Sequence, residues 1–159
     1  MKKIFSFEYN LTDDYRAIGI SAHLKDYKLC WNLNHILEIN LQKNQNFISS
    51  KKKSTREEYS FYHYYDENNR CFFYLLSNKK DNAMLMSKMP EIDYILLIKG
   101  FLNDEKIEHT IANIKKTTNI LTAFLINMNK YSEMNGFLTD MELHYINVIK
   151  HSNKQLLFN

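Results

Sequence analysis

Six histidines, two cysteines and one carboxylate set inside an apolar run are the residues of this chain that could carry chemistry. The histidines stand at 23, 35, 63, 109, 144 and 151. Zinc sites draw on close ligand pairs such as Cys-x-x-Cys or His-Glu-x-x-His, because two ligands on one turn converge on one ion. Neither spacing occurs. His144 and His151 lie seven residues apart, roughly one helix face two turns apart, without a thiol or carboxylate at ligand spacing beside them. All six read as surface histidines, and no metal or other cofactor is expected. Nucleophilic catalysis lacks its signatures too: there is no Gly-x-Ser-x-Gly elbow and no Gly-rich phosphate loop. Cys30 falls mid-helix on an apolar face and Cys71 in an apolar run, where desolvation disfavours the reactive thiolate. No catalytic residue can be named, and the chain reads as non-catalytic.

Binding chemistry offers more. Asp93, between Ile92 and Tyr94, opens a strand that should be buried. Burying an unpaired carboxylate is costly. It must therefore accept backbone N–H bonds, pair with a lysine, or anchor a polar ligand at the sheet edge. A second candidate is the turn Ser21-Ala22-His23-Leu24-Lys25-Asp26, where a strand feeds a helix. Free N–H groups at a helix start favour anions, and Lys25 adds to the attraction; a helix cap with a nearby lysine is the plainer reading. The candidate ligand residues are thus Ser21, His23, Lys25 and Asp93.

The third candidate is an aromatic hairpin over residues 59–65 and 71–76. One face of its first strand carries Tyr59, Phe61, His63 and Tyr65, the other Ser60, Tyr62, Tyr64 and Asp66, and either could be the core. Sheets of RNA-recognition type stack bases on exposed strand aromatics. An RNA reading uses Tyr62 and Tyr64 for stacking, and Lys51, Lys52, Lys53 and Arg56 for phosphate. Against it, Lys99-Gly100-Phe101 opens like a ribonucleoprotein motif but continues as Leu102-Asn103-Asp104-Glu105, a helix start. Glu57-Glu58 also interrupts the basic track.

The elements that must hold these residues follow from apolar periodicity. Residues 4–9 alternate as a strand, 16–22 form a second strand, and 24–38 form a helix with a stripe of Leu29, Cys30, Leu33, Ile36 and Leu37. A short strand at 39–41 precedes a polar loop, 44–58. The hairpin follows, then a second polar connection, 78–88. Residues 92–98, 103–118 and 120–126 make a strand-helix-strand unit with a Gly stop at Gly100, which predicts parallel strands in one sheet, adjacent or nearly so. Ile107, Ile111 and Ile114 should pack the helix onto that sheet. The chain is expected to turn at Asn135-Gly136 and to end in a helix over 140–151, with Thr139 and Glu142 at capping-box spacing. Strand-helix-strand occurs twice, near 16–41 and 92–126. That predicts an α+β protein, a ferredoxin-like or ACT-like sandwich: a mixed sheet, helices on one face and an added C-terminal helix.

Whole-chain numbers bound the rest. With 159 residues, one domain spanning 1–159 is expected. A net charge of +3 is too small to imply a polyanion partner. Two cysteines in apolar contexts read as reduced thiols, the N-terminus lacks a signal peptide's apolar core, and no run reaches the length of a membrane span. A cytoplasmic location and no membrane partner are expected.

Three strings carry a family resemblance: Asp26-Tyr27-Lys28-Leu29-Cys30-Trp31, Tyr74-Leu75-Leu76-Ser77-Asn78-Lys79 and Ile92-Asp93-Tyr94-Ile95-Leu96. With them the chain, from Ile18 to about Ile126, resembles the IPExxxVDY family of small bacterial proteins. The Ser152-to-Phe158 ending is similar as well. Read without gaps the naming motif falls on 86–94, where Ile92-Asp93-Tyr94 fits; a three-residue deletion instead aligns Met89-Pro90-Glu91 with Ile-Pro-Glu. Residues 129–149 are an addition to the pattern. The resemblance implies no activity and brings no catalytic residue. The expectation is a non-catalytic binding or regulatory module, with a homodimer or another protein as partner left open. The alternative is an RNA-associated protein using an aromatic sheet face.

Overall fold

In a computed structural model, residues 10–49, 56–100 and 102–157 are described, with side chains through 153. The strand expected at 4–9, Lys51, Lys52, Lys53, Phe101 and Phe158 lie outside the described residues. The chain runs β1 (Tyr15–Ala22), α1 (Asp26–Leu37), β2 (Gln42–Ile48), β3 (Glu58–Asp66), β4 (Cys71–Ser77), two short strands β5 (Lys79–Lys80) and β6 (Ala83–Met84), β7 (Tyr94–Lys99), α2 (Asp104–Lys115), β8 (Ile120–Leu125) and α3 (Met134–Leu157). Single 3-10 turns precede β1 and α3.

Six strands form one sheet in the order β2-β3-β4-β7-β1-β8, and β5 pairs with β6 separately. Every hydrogen-bonded pair is antiparallel, which corrects the expected mixed sheet. The reason lies in β1. It pairs antiparallel to both β7 and β8 and sits between them, so those two strands run parallel without touching. Gly100 stops β7 at φ 136°, and a Cβ there would meet Arg70 O at 2.8 Å. Asn103 caps α2 by accepting from Lys106 N at 2.8 Å. Ile107 and Ile114 are buried against the sheet, each contributing about 1.5–3 kcal/mol of burial, and Ile111 is half-buried beside them.

The sheet is covered on both faces. Ile18, Ile20, Tyr62, Leu75, Tyr94 and Leu96 face α1 and α2. Ala17, Phe61, Tyr74, Ile95 and Leu97 face α3 and the segment carrying Leu85, Met86, Met89 and Ile92. That both faces of the Arg16–Ala22 stretch would be buried is therefore borne out, with helices supplying both covers.

Several elements differ from expectation: residues 39–41, expected as a short strand, are irregular, and the 78–88 connection carries β5 and β6. The 44–58 stretch, read as loop, supplies most of an edge strand. Its side chains are largely solvated except for Phe47, so composition hides it, while pairing with β3 supplies the partners. α3 begins at Met134 and passes through Asn135-Gly136 without turning. The burial of Met134, Phe137, Leu138 and Met141 under one face outweighs the local turn preference. Thr139 consequently caps nothing; its hydroxyl donates back to Asn135 O at 2.9 Å inside the helix.

Candidate functional site

Asp93 stands where three elements meet. Its Oδ2 accepts from Ala22 N at 2.9 Å, with Ser21 Oγ at 3.4 Å, and its Oδ1 accepts from Lys79 Nζ at 3.0 Å. Its backbone N–H donates to Ile20 O at 2.9 Å and its carbonyl accepts from Asn78 N at 2.8 Å. The next residue, Tyr94, donates its hydroxyl to Leu24 O. Together Asp93 and Tyr94 clamp the β1-to-α1 turn from both ends. Of the four predicted ligand residues the fold brings Ser21 and Asp93 together, while His23 and Lys25 stand exposed and take no part. Asp93 satisfies its charge inside the protein, the plainer of the readings the sequence allowed.

The turn so held opens α1 and carries a surface that periodicity did not single out. Leu29, Cys30 and Leu33 turn inward, so the i, i+4, i+8 line Tyr27, Trp31, His35 turns outward. Tyr27 is 56% exposed and Trp31, the chain's single Trp, is 69% exposed. Trp31 stacks on His35 with ring centroids 5.8 Å apart and planes 4° from parallel. Beside this ridge lies a groove of about 580 Å³ lined by Leu24, Tyr27, Lys28, Trp31, Thr117 and Asn119, among others. Its lining offers aromatic faces, hydroxyl and amide groups, and one cation. The available signal was that Tyr27 and Trp31 fall off the apolar stripe, where a large aromatic has no core to enter.

A larger cleft, about 950 Å³, opens between the end of α1, the start of α2 and the β3–β4 turn, with Asp66, Glu105, Lys106 and His109 on its wall. Asp66 is committed to its own turn, accepting from Asn68 N at 3.0 Å and Asn69 Nδ2 at 2.7 Å, which holds its carboxyl below the usual range. Among the described residues the cleft supplies no comparably defined feature.

The described residues of the RNA reading are dispersed. Tyr62 is 4% exposed and donates to Asp26 Oδ2 at 3.0 Å; Tyr64 is half-buried beside Phe73. Arg56 is exposed but paired with Glu58 at 3.1 Å. Tyr65 is the one exposed strand aromatic among the described residues.

The histidines correct the surface reading in two cases. His63 and His144 are half-buried between β3 and α3, His144 edge-on to Phe61 at 4.8 Å. Burial lowers both pKa values, and for His63 the nearby His144 lowers it further. Asn44 Nδ2 lies 3.1 Å from His63 Nε2, and His144 Nε2 donates to Gln45 O at 2.9 Å, so both rings hold down β2. On the same helix Glu142 accepts from Tyr15 Oη at 2.6 Å and Lys99 Nζ at 2.7 Å. Burial alone would raise the Glu142 carboxyl, but these two donors outweigh it and hold it below the ordinary value. Among the described residues no group of three His, Cys, Asp or Glu is placed to hold a metal ion, and no helix is long and apolar enough to cross a membrane.

A scan against models of known protein families and a search of curated proteins both give no match to this chain.

Proposed function

We propose that this chain is a cytoplasmic, non-catalytic binding or regulatory module of ferredoxin-like or ACT-like build, acting through the groove beside Tyr27 and Trp31. The observation that carries this reading is the exposed aromatic ridge. An exposed large aromatic is informative where a buried one is not, and Trp and Tyr dominate binding energy at interfaces because they bury much area at small entropic cost. Support for the fold reading comes from β8-β1-β7-β4, which with α1 and α2 reproduces a β-α-β-β-α-β arrangement to which β2 and β3 are added at one edge. Two free, buried thiols suit a reducing compartment. Membership of the IPExxxVDY family belongs to the same proposal. Asp93 and Tyr94, which clamp the α1 turn, and Asn78 and Lys79, which bond Asp93, all lie within the strings that carry the resemblance.

Because Trp31 is the only Trp, its emission reports on the groove directly. It is titrated with free amino acids, mononucleotides and short peptides, and with single-stranded and duplex RNA at low and moderate salt. Saturable quenching by a small ligand or peptide, lost in Tyr27→Ala and Lys28→Ala, is the expected result. Salt-sensitive micromolar RNA binding that disappears when Lys51, Lys52 and Lys53 are neutralised would replace this reading with the RNA one. No response from any probe would remove the groove as the site.

A further inference from the structure

We propose that the groove beside Tyr27 and Trp31 takes a nucleoside monophosphate, its base seated on the open face of Trp31 and its phosphate held by Lys28. This inference rests on the groove reading and names the ligand class for that same site.

The stacking half follows from the order of rings along α1. One face of Trp31 is covered by His35, one turn further on, with planes 4° from parallel. The groove is lined by Trp31 and by Tyr27, one turn earlier, and His35 takes no part in it. The uncovered indole face therefore looks toward Tyr27 and into the groove. A planar ring is the shape that such a face holds best. Around it, the Asn32 and Asn119 amides and the Thr118 hydroxyl line the groove and make no side-chain hydrogen bond among the described residues. Amides both donate and accept, so they suit a ring with polar edges rather than a hydrocarbon one.

Charge decides what the ring carries. Among the described residues the lining holds one charged side chain, Lys28, and no carboxylate. Lys25 follows Leu24 in the chain and Lys116 precedes Thr117, so two further exposed cations border it. None of these three lysines has a carboxylate at ion-pair distance among the described residues. Asp26, the nearest acid in the sequence, is engaged on the β2–β3 side of α1: its Oδ2 accepts from Tyr62 Oη at 3.0 Å and lies 3.6 Å from Lys43. A cationic ligand, which bare aromatics otherwise attract, meets three like charges here; an anion meets three unpaired ones. Lys28 and Trp31 are i, i+3 neighbours, about 5–6 Å apart at Cβ, which one nucleotide spans from base to phosphate. The groove's volume of about 580 Å³ suits a ligand of that size.

Adenosine 5′-monophosphate, adenosine and inorganic phosphate are titrated against Trp31 emission on the full chain, with calorimetry as a second readout. Adenine stands for the bases, since stacking tolerates all of them. The monophosphate is expected to quench saturably and to bind at least about tenfold more tightly than adenosine, a gap that narrows as salt screens Lys28. Inorganic phosphate alone should leave the emission unchanged. Lys28→Ala should bring the monophosphate down to the level of adenosine, and Lys28→Arg should keep the gap. Trp31→Ala, read by calorimetry, should weaken both. Both sites are exposed, and circular dichroism verifies that the variants fold. Equal binding of adenosine and its monophosphate, or monophosphate binding indifferent to Lys28→Ala, overturns this inference. So does a response to a peptide or to anionic lipid vesicles where the monophosphate gives none, which leaves the groove as a site for another class of ligand. Silence from every probe overturns the groove reading and this inference together.

Discussion

Asn78 shows how a single amide organises a connection with little regular structure. It is fully buried; its Oδ1 accepts from Met86 N at 2.7 Å, and its Nδ2 donates to Met89 O at 3.1 Å and Ile92 O at 2.9 Å. Asn78→Asp keeps the shape but leaves two buried carbonyls facing an acceptor. It should cost about 3 kcal/mol in urea unfolding, since each buried group left unsatisfied costs about 1–3 kcal/mol; an unchanged midpoint contradicts the role. The thiols are inert by the same logic of burial. Desolvation pushes Cys30 up to about 11, and desolvation followed by the neighbouring Asp66 raises Cys71. Native labelling with a thiol reagent should be slow and become rapid only on unfolding. The buried histidines set a pH dependence with a definite sign. His63 and His144 hold protons less tightly folded than unfolded, so stability is complete above about pH 6.5 and falls as the pH drops through the folded pKa values. Glu142, depressed as well, adds a second loss in the acid carboxylate range. Unfolding midpoints between pH 8 and 5 should show the first decline, and His63→Gln with His144→Gln should flatten it.

At the scale of elements, the first turns of α3 are the clearest case of tertiary packing overriding a local signal. Nothing lies within 4 Å of a Cβ built on Gly136, whose φ is not positive, so neither space nor backbone conformation demands glycine. Gly136→Ala should raise stability by about 0.5–1 kcal/mol, the difference in helix propensity. A loss in thermal or urea unfolding would mean that this stretch turns after all. β2 is held as a strand by β3 on one side, by two imidazoles that bond it, and by its own Phe47, which lies edge-on to Phe137 of α3 at 5.9 Å. The acid sensitivity of the histidines should therefore be felt first at β2. Amide hydrogen exchange at Asn44–Phe47 should accelerate below pH 6 before β1 or β7 changes.

For the whole molecule, a sheet covered on both faces has only its two edges and the outer surfaces of its helices left for partners. That is why Tyr62 and Tyr64, attractive as bare strand aromatics, are instead core and half-buried packing, and why the exposed aromatics gather on α1.

Local pattern by itself determined the elements whose apolar period runs unbroken. β1, α1, the β3–β4 hairpin, β7, α2 and β8 all lie where periodicity placed them, because each buries a stripe that only one backbone conformation can align. Asp93's need for partners was equally legible, since a carboxylate at the mouth of a buried strand has to be satisfied. The tertiary structure alone decided what depends on distant neighbours. Polar β2 became a strand because β3 had an open edge, with His63 of β3 and His144 of α3 placed to bond it; α3 ran through Asn135-Gly136 because the sheet had an uncovered apolar face. Insertion of β1 between β7 and β8 made every pairing antiparallel, which no local window can encode. Tyr27 and Trp31 fall off the apolar stripe of α1 and were legible as outward residues, but the groove beside them was not, because its other wall comes from Thr117 and Asn119, far away in the chain.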